Sequence, residues 1–221
     1  SAQAAEMTVS GATMLTYTSE DSTEVTGNPF GMKTNLAFTA SGEVNGYNVS
    51  YMQTSADQFA GMSSARLSID MGDMGTLAFD QGSGSGLGTI DDKTPTAAEE
   101  IWDGLDGTTV GGLVGAAGAS GVFNYINTIG GVTLNAAARK GSGTKNADGA
   151  SSGAGQGAWD FALTTDGEML GVDGLAIGAG YGEAENGSLA ASTYGDAEHM
   201  TAFANYSVGP VTFGYQMSYI E

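Results

Sequence analysis

Six carboxylates stand close together in the middle of the chain, Asp91, Asp92, Glu99, Glu100, Asp103 and Asp106, with Lys93 as the one base among them and a local charge of −5. The chemistry open to such a group is electrostatic: it draws cations and repels anions. Its competing reading is an acidic surface segment facing solvent. Thr96 and Glu99 have the spacing of a capping box, which predicts a short helix stopped by Gly104 or Gly107. Covalent chemistry has little to work with. There is one His, His199, and no Cys, so dyads and metal centres built on those residues are scarce. No G-x-S-x-G elbow occurs either. His199 reads as a surface side chain at a loop–strand junction, and no enzymatic activity is expected. Two other acidic groups, Glu20-Asp21-Glu24 and Glu183-Glu185 with Asp196-Glu198, offer the hard oxygen donors that suit Ca²⁺. The alternative there is loop charges held apart, and no other cofactor is expected.

The elements that must carry these residues are set by an unusual composition. Gly contributes 37 of 221 residues and Pro only 3. Because Gly costs a helix interior about 1 kcal/mol relative to Ala, this favours turns, loops and small-residue strands. Asp and Glu total 25 against 6 Lys and Arg, a formal charge of −19. Nucleic acid is thereby excluded as a partner, since phosphate backbones need basic patches. Without Cys, a secreted chain must be held by other means, of which a closed barrel is one. The opening Ser1-Ala2-Gln3-Ala4-Ala5-Glu6 reads as a mature N-terminus after a small-residue cleavage site. No run of 18 strongly apolar residues predicts a transmembrane helix. The uncharged segment 108–126, with its Gly111-x-x-x-Gly115, reads better as a loop entering a strand.

Period-two alternation resolves about eleven strands. Met32, Leu36, Phe38 and Ala40 alternate with Lys33, Asn35, Thr39 and Ser41; Leu67 and Ile69 oppose Arg66, Ser68 and Asp70. Further on, Trp159, Phe161 and Leu163 oppose Asp160 and Thr164, and Leu175, Ile177, Ala179 and Tyr181 oppose Ala176, Gly178 and Gly180. Near the end, Val211, Phe213, Tyr215, Met217 and Tyr219 alternate with Thr212, Gly214, Gln216 and Ser218. The candidate strand 121–128 is ambiguous, with Phe123 and Tyr125 set against Val122, Asn124 and Ile126.

Connections decide what alternation alone leaves open. Short turns at 42–46, 72–75, 130–131 and 209–210, and a somewhat longer one at 166–174, alternate with long segments at 19–31, 53–61, 82–120, 140–157 and 182–198. An up-and-down antiparallel sheet therefore has tight turns at one end and long loops at the other, the asymmetry of outer-membrane barrels. Its second face carries Lys33, Asn35, Arg66, Asp70, Asp80, Arg139, Asp160 and Gln216. A small soluble barrel fills its interior with apolar side chains, so here the apolar face is expected to point outward and the charged face to line water. Aromatics near strand ends, among them Tyr47, Trp159, Tyr181 and Tyr219, suit interfacial girdles.

In Met7-Thr8-Val9-Ser10-Gly11, in Gly72-Asp73-Met74-Gly75-Thr76-Leu77, in the acidic segment after the fifth strand and in the hairpin Tyr206-Ser207-Val208-Gly209-Pro210-Val211, the chain resembles the general porins of Gram-negative bacteria, particularly alphaproteobacterial and marine ones. That resemblance covers most of the chain as one incomplete barrel domain, residues 1–221. It implies an outer-membrane diffusion channel for ions and small polar solutes, sixteen strands rather than eleven, contact with outer-membrane lipid, and a homotrimer. A terminal aromatic residue is usual in that family, whereas this sequence ends Tyr219-Ile220-Glu221, so further strands are expected beyond it. The resemblance also implies that residues 82–120 fold into the barrel as a constriction loop. Asp91, Asp92, Glu99, Glu100, Asp103 and Asp106 would then face wall bases, of which Lys33 and Arg66 fit best, giving a cation preference. A secreted Gly/Asp-rich β-solenoid, adhesin or surface-layer protein is the alternative, although no fixed G-G-x-G-x-D repeat is present.

Overall fold

The computed structural model describes residues 6–17, 30–56, 63–95, 120–139, 157–185 and 196–221. Eleven strands run through them: β1 (Glu6–Tyr17), β2 (Phe30–Val44), β3 (Tyr47–Ala56), β4 (Ser64–Asp70), β5 (Thr76–Gln81), β6 (Ser120–Ile129), β7 (Val132–Arg139), β8 (Ala158–Asp166), β9 (Leu175–Ala184), β10 (Ala197–Val208) and β11 (Val211–Ile220). They fall into two compact units, Ser1–Asp70 and Met71–Glu221. Each is an antiparallel up-and-down meander in which every strand pairs with its neighbours in sequence. The all-β, up-and-down expectation therefore holds. No helix among the described residues is long and apolar enough to cross a membrane, a statement about helices alone.

In the first unit the register puts like with like. Val9 lies opposite Phe38, Leu15 opposite Met32 and Tyr17 opposite Phe30, whose rings meet edge to face at 5.2 Å. Tyr51 is opposite Leu67, while on the reverse face Met52 lies opposite Arg66. The β2–β3 turn is tighter than the sequence suggested. Gly42 is a strand residue opposite Val49, and only Asn45 and Gly46 turn the chain, at φ 53° and 85°. Asn and Gly are the residues that tolerate this left-handed pair, whose twist matches the strands it joins. β3 likewise continues to Ala56, past the expected loop start at 53.

The second unit has the same two-faced construction. One face holds Leu77, Phe123, Trp159, Leu163, Met200, Tyr206, Phe213, Tyr215, Met217 and Tyr219, all well exposed. The other buries polar groups: Asp80 and Asn124 are fully buried, and Asp160 and Thr201 nearly so. A water-soluble sheet does the reverse, because leaving apolar area in water costs about 25 cal/mol per Å² and burying a carboxylate costs more. Strand 120–129 resolves the ambiguity noted above. Phe123 and Tyr125 take the exposed face, and Val122 packs with Ala137 on the buried one. β10 begins at Ala197, so His199 is a half-buried strand residue opposite Gly182 rather than a surface residue at a junction.

Candidate functional site

What buries the polar face is the first limb of the long segment after β5. Residues 82–95 cross the second unit from β6 over β7, β8, β9 and β10 to β11, and we refer to them as the strap. Its start is tied to its own strand: the Asp80 carboxylate accepts from Ser83 N–H at 3.1 Å, from the Ser83 hydroxyl, and from the Ser85 hydroxyl at 2.8 Å. A single 3-10 turn, Gly86–Ile90, then runs over the sheet. Gly86 N–H donates to Asn135 Oδ1 at 2.9 Å and Asn124 Oδ1 at 3.2 Å, and Leu87 N–H donates to Asp160 Oδ1 at 3.0 Å. Leu87 and Ile90, spaced i and i+3 on one side of the turn, pack with Ala162 and Phe203. Full burial of two such side chains stabilises the docked state by roughly 3–6 kcal/mol before ordering costs.

Small residues make the room. A Cβ on Gly180 would meet the Phe161 carbonyl and the Leu87 side chain, one on Gly178 would meet Phe203, and one on Gly214 would meet the Pro95 ring. Gly86 itself has φ +55°, and its Cβ would collide with the Asp160 carboxylate. Ala137 and Ala162 continue this lane of small side chains under the strap. At its far end the strap meets β11. Gln216 Nε2 donates to Ile90 O at 2.7 Å and Asp91 O at 2.9 Å, and Gln216 Oε1 accepts from Lys93 N–H at 2.8 Å. Asn205 Nδ2 donates to Lys93 O alongside.

Of the acids singled out in the sequence, Asp91 and Asp92 belong to the strap and are half-buried, Asp91 closing the 3-10 turn. Glu99, Glu100, Asp103 and Asp106, with the capping box at Thr96, lie outside the described residues. Lys33 is a backbone partner of Met14 in β2, and Arg66 is half-buried on β4, both in the first unit. Within the second unit, Arg139 and His199 share the face that carries the strap, by their alternation with Ala137 and Thr201. For the proposed Ca²⁺ groups, Glu20, Asp21 and Glu24 lie outside the described residues, and Glu185 instead accepts from Gly157 N–H at 2.7 Å. Among the described residues no cluster of three or more His, Asp or Glu is placed to hold a metal ion. Glu183 faces Glu198 across β9–β10, next to a tyrosine, Tyr181, that donates to Glu183 at 2.7 Å.

Sequence reasoning missed the residues that hold the strap. Asp160 and Gln216 were visible as polar-face residues, but nothing local distinguishes them from Thr164 or Ser218. The one available signal was Leu87 and Ile90, two apolar residues at turn spacing inside a Gly-rich segment. A family model described as Gram-negative porin matches residues 1–221. No curated protein matches the chain.

Proposed function

The chain belongs to the Gram-negative porin family, and from that premise we propose that it forms a water-filled outer-membrane channel for passive diffusion of ions and small polar solutes, narrowed by the strap and the residues that follow it. The observation that carries this reading is the inverted sheet, apolar where it is exposed and polar where it is covered. Such a sheet suits a lipid-facing exterior and an aqueous interior. Trp159, Phe161 and Tyr181, which stack and tilt against one another at centroid distances of 6.4 and 5.7 Å, fit an interfacial aromatic girdle. The family also supports a channel over an enzyme, and a trimer is the assembly we propose. Asp91, Asp92, Glu99, Glu100, Asp103 and Asp106 would line one side of the constriction, Lys33 and Arg66 the other, with cations preferred. Calcium at the acidic loop groups remains a separate proposal, tested by whether chelation lowers the melting temperature.

The direct test is conductance. Reconstituted in planar bilayers, the folded protein should give stepwise current increments that rise with salt without saturating, as a polar lumen without a tight site requires. A folded, β-rich preparation that never conducts would sink the channel. Lipid facing has its own check. Leu163 lies near the middle of β8 and is 42 % exposed on the apolar face. Leu163→Arg should cost about 2–4 kcal/mol in refolding into bilayers, the penalty for Arg at the midplane of a barrel's outer face. The same change at Thr164, on the opposite face, should cost far less.

A further inference from the structure

From Gly86 onward the strap is held to the sheet through backbone groups: Gly86 N–H, Leu87 N–H, Ile90 O, Asp91 O, Lys93 N–H and Lys93 O. Resting on the channel reading above, we propose that Gln216 is the positioning residue of the constriction, a latch whose side-chain amide fixes the segment bearing Asp91 and Asp92 on the pore wall. The geometry is that of a peptide group set on a side chain. Gln216 donates to two carbonyls and accepts from one N–H, bridging Ile90 to Lys93, while Nε2 also lies 3.2 Å from Thr201 Oγ1 on the neighbouring strand, a contact that shares one of its two hydrogens.

Only an amide of this length meets both demands. Leu keeps the volume and leaves two carbonyls and an N–H unpaired. Glu, ionised, can still accept from Lys93 N–H but can donate to neither carbonyl, and it places a carboxylate oxygen against them. Protonated Glu regains one donor. The latch itself engages only backbone groups of the strap. Gly214, two residues earlier on the same face of β11, leaves space for Pro95. Asn205 holds the Lys93 carbonyl. The far end of the strap is thus seated on β10 and β11, while its root is seated on β6 to β8.

The test uses the full chain, which has no Cys, carrying a nitroxide at Lys93→Cys, whose backbone keeps the latch contacts. Folding is verified for each variant by heat-modifiable migration, and the outer-face change Met217→Leu serves as a neutral reference. With Gln216 present the label should be immobile at pH 7.5 and at pH 4. Gln216→Leu should shorten its correlation time about tenfold, into the nanosecond range of free loops, at both pH values. Gln216→Glu should match Leu at pH 7.5 and recover immobility at about pH 4, where a carboxyl of ordinary pKa gains its proton. A structural filler role would show no such recovery. If the label stays immobile in folded Gln216→Leu, or if Glu behaves alike at both pH values, the latch is wrong. Bilayer recordings on the same preparations separate the two readings. Loosened labels without conductance in any variant would remove the channel and keep the latch, whereas steady conductance with immobile labels would do the opposite.

Discussion

Replacing Asp91, Asp92, Glu99 and Glu100 with Asn or Gln is expected to shift the reversal potential towards anion preference, and replacing Lys33 and Arg66 with Gln to shift it the other way. The size follows from Coulomb's law. A charge about 10 Å from an ion in water contributes roughly 0.4 kcal/mol, so four contribute about 1.7 kcal/mol unscreened. One Debye length of screening at physiological salt leaves about 0.6 kcal/mol. That corresponds to about threefold in the local concentration of each ion and about eightfold in the cation-to-anion ratio. At 1 M salt the Debye length falls to about 3 Å and the difference should nearly vanish. Glu183 and Glu198 make the control. They face one another on the sheet face opposite the strap, so neutralising them should leave selectivity near its starting value. An unchanged reversal potential in the fourfold variant, together with a shift in the control, would place the constriction elsewhere.

Gly86→Val is expected to lift the strap while leaving the strands folded. Two effects combine. A β-branched residue at φ +55° costs about 1–2 kcal/mol in backbone strain, and its side chain would strike the Asp160 carboxylate and Ala137 Cβ. The bonds from Gly86 and Leu87 to Asn124, Asn135 and Asp160 would be lost with it. A total near 3 kcal/mol or more displaces the docked equilibrium by over a hundredfold, since about 1.4 kcal/mol is tenfold. Unitary conductance should rise and selectivity weaken together, with heat-modifiable migration unchanged. Gly88→Ala is the matched control, because a Cβ there meets nothing within 4 Å. A folded Gly86→Val channel of ordinary conductance would show that the strap does not occupy the passage.

The strands and their faces could be read from the sequence because period-two alternation is a local property, and each misreading has a local cause. Gly42 looked like a turn residue, yet in β2 it pairs with Val49 and the Asn45-Gly46 pair next to it does the turning. Val122 blurred the sixth strand because an apolar residue on the polar face is unexpected until something covers it. His199 looked like the start of a strand because acids precede it, and β10 nonetheless begins at Ala197. The strap's anchors were illegible for a different reason. Asp160 acquires its role from Leu87, 73 residues away, and Gln216 from Ile90, 126 residues away. Gly178 and Gly180 could be seen as a small-residue face, but their purpose depends on Phe203 and Leu87 arriving above them. Alternation put Lys33 and Arg66 on the polar face, but the role of facing the loop acids came from family resemblance, which no alternation pattern could have supplied.

The two ends of the strap differ in how much chain must be in place before they can close. The root needs Asn124 and Asn135, 38 and 49 residues from Gly86, whereas the latch waits for a residue 126 positions from Ile90. Loop closure over 126 rather than 38 residues costs only about 1 kcal/mol more, so the thermodynamic handicap is small. The order of events is nevertheless imposed by connectivity. Root contacts can form once β6 to β8 have paired, but Gln216 has no place to stand until the β10–β11 hairpin is laid down. A nascent sheet assembled only as far as β8 would carry a strap hinged at Gly86 with its acidic end unsecured, and it is the β10–β11 hairpin that brings Gln216 to close it.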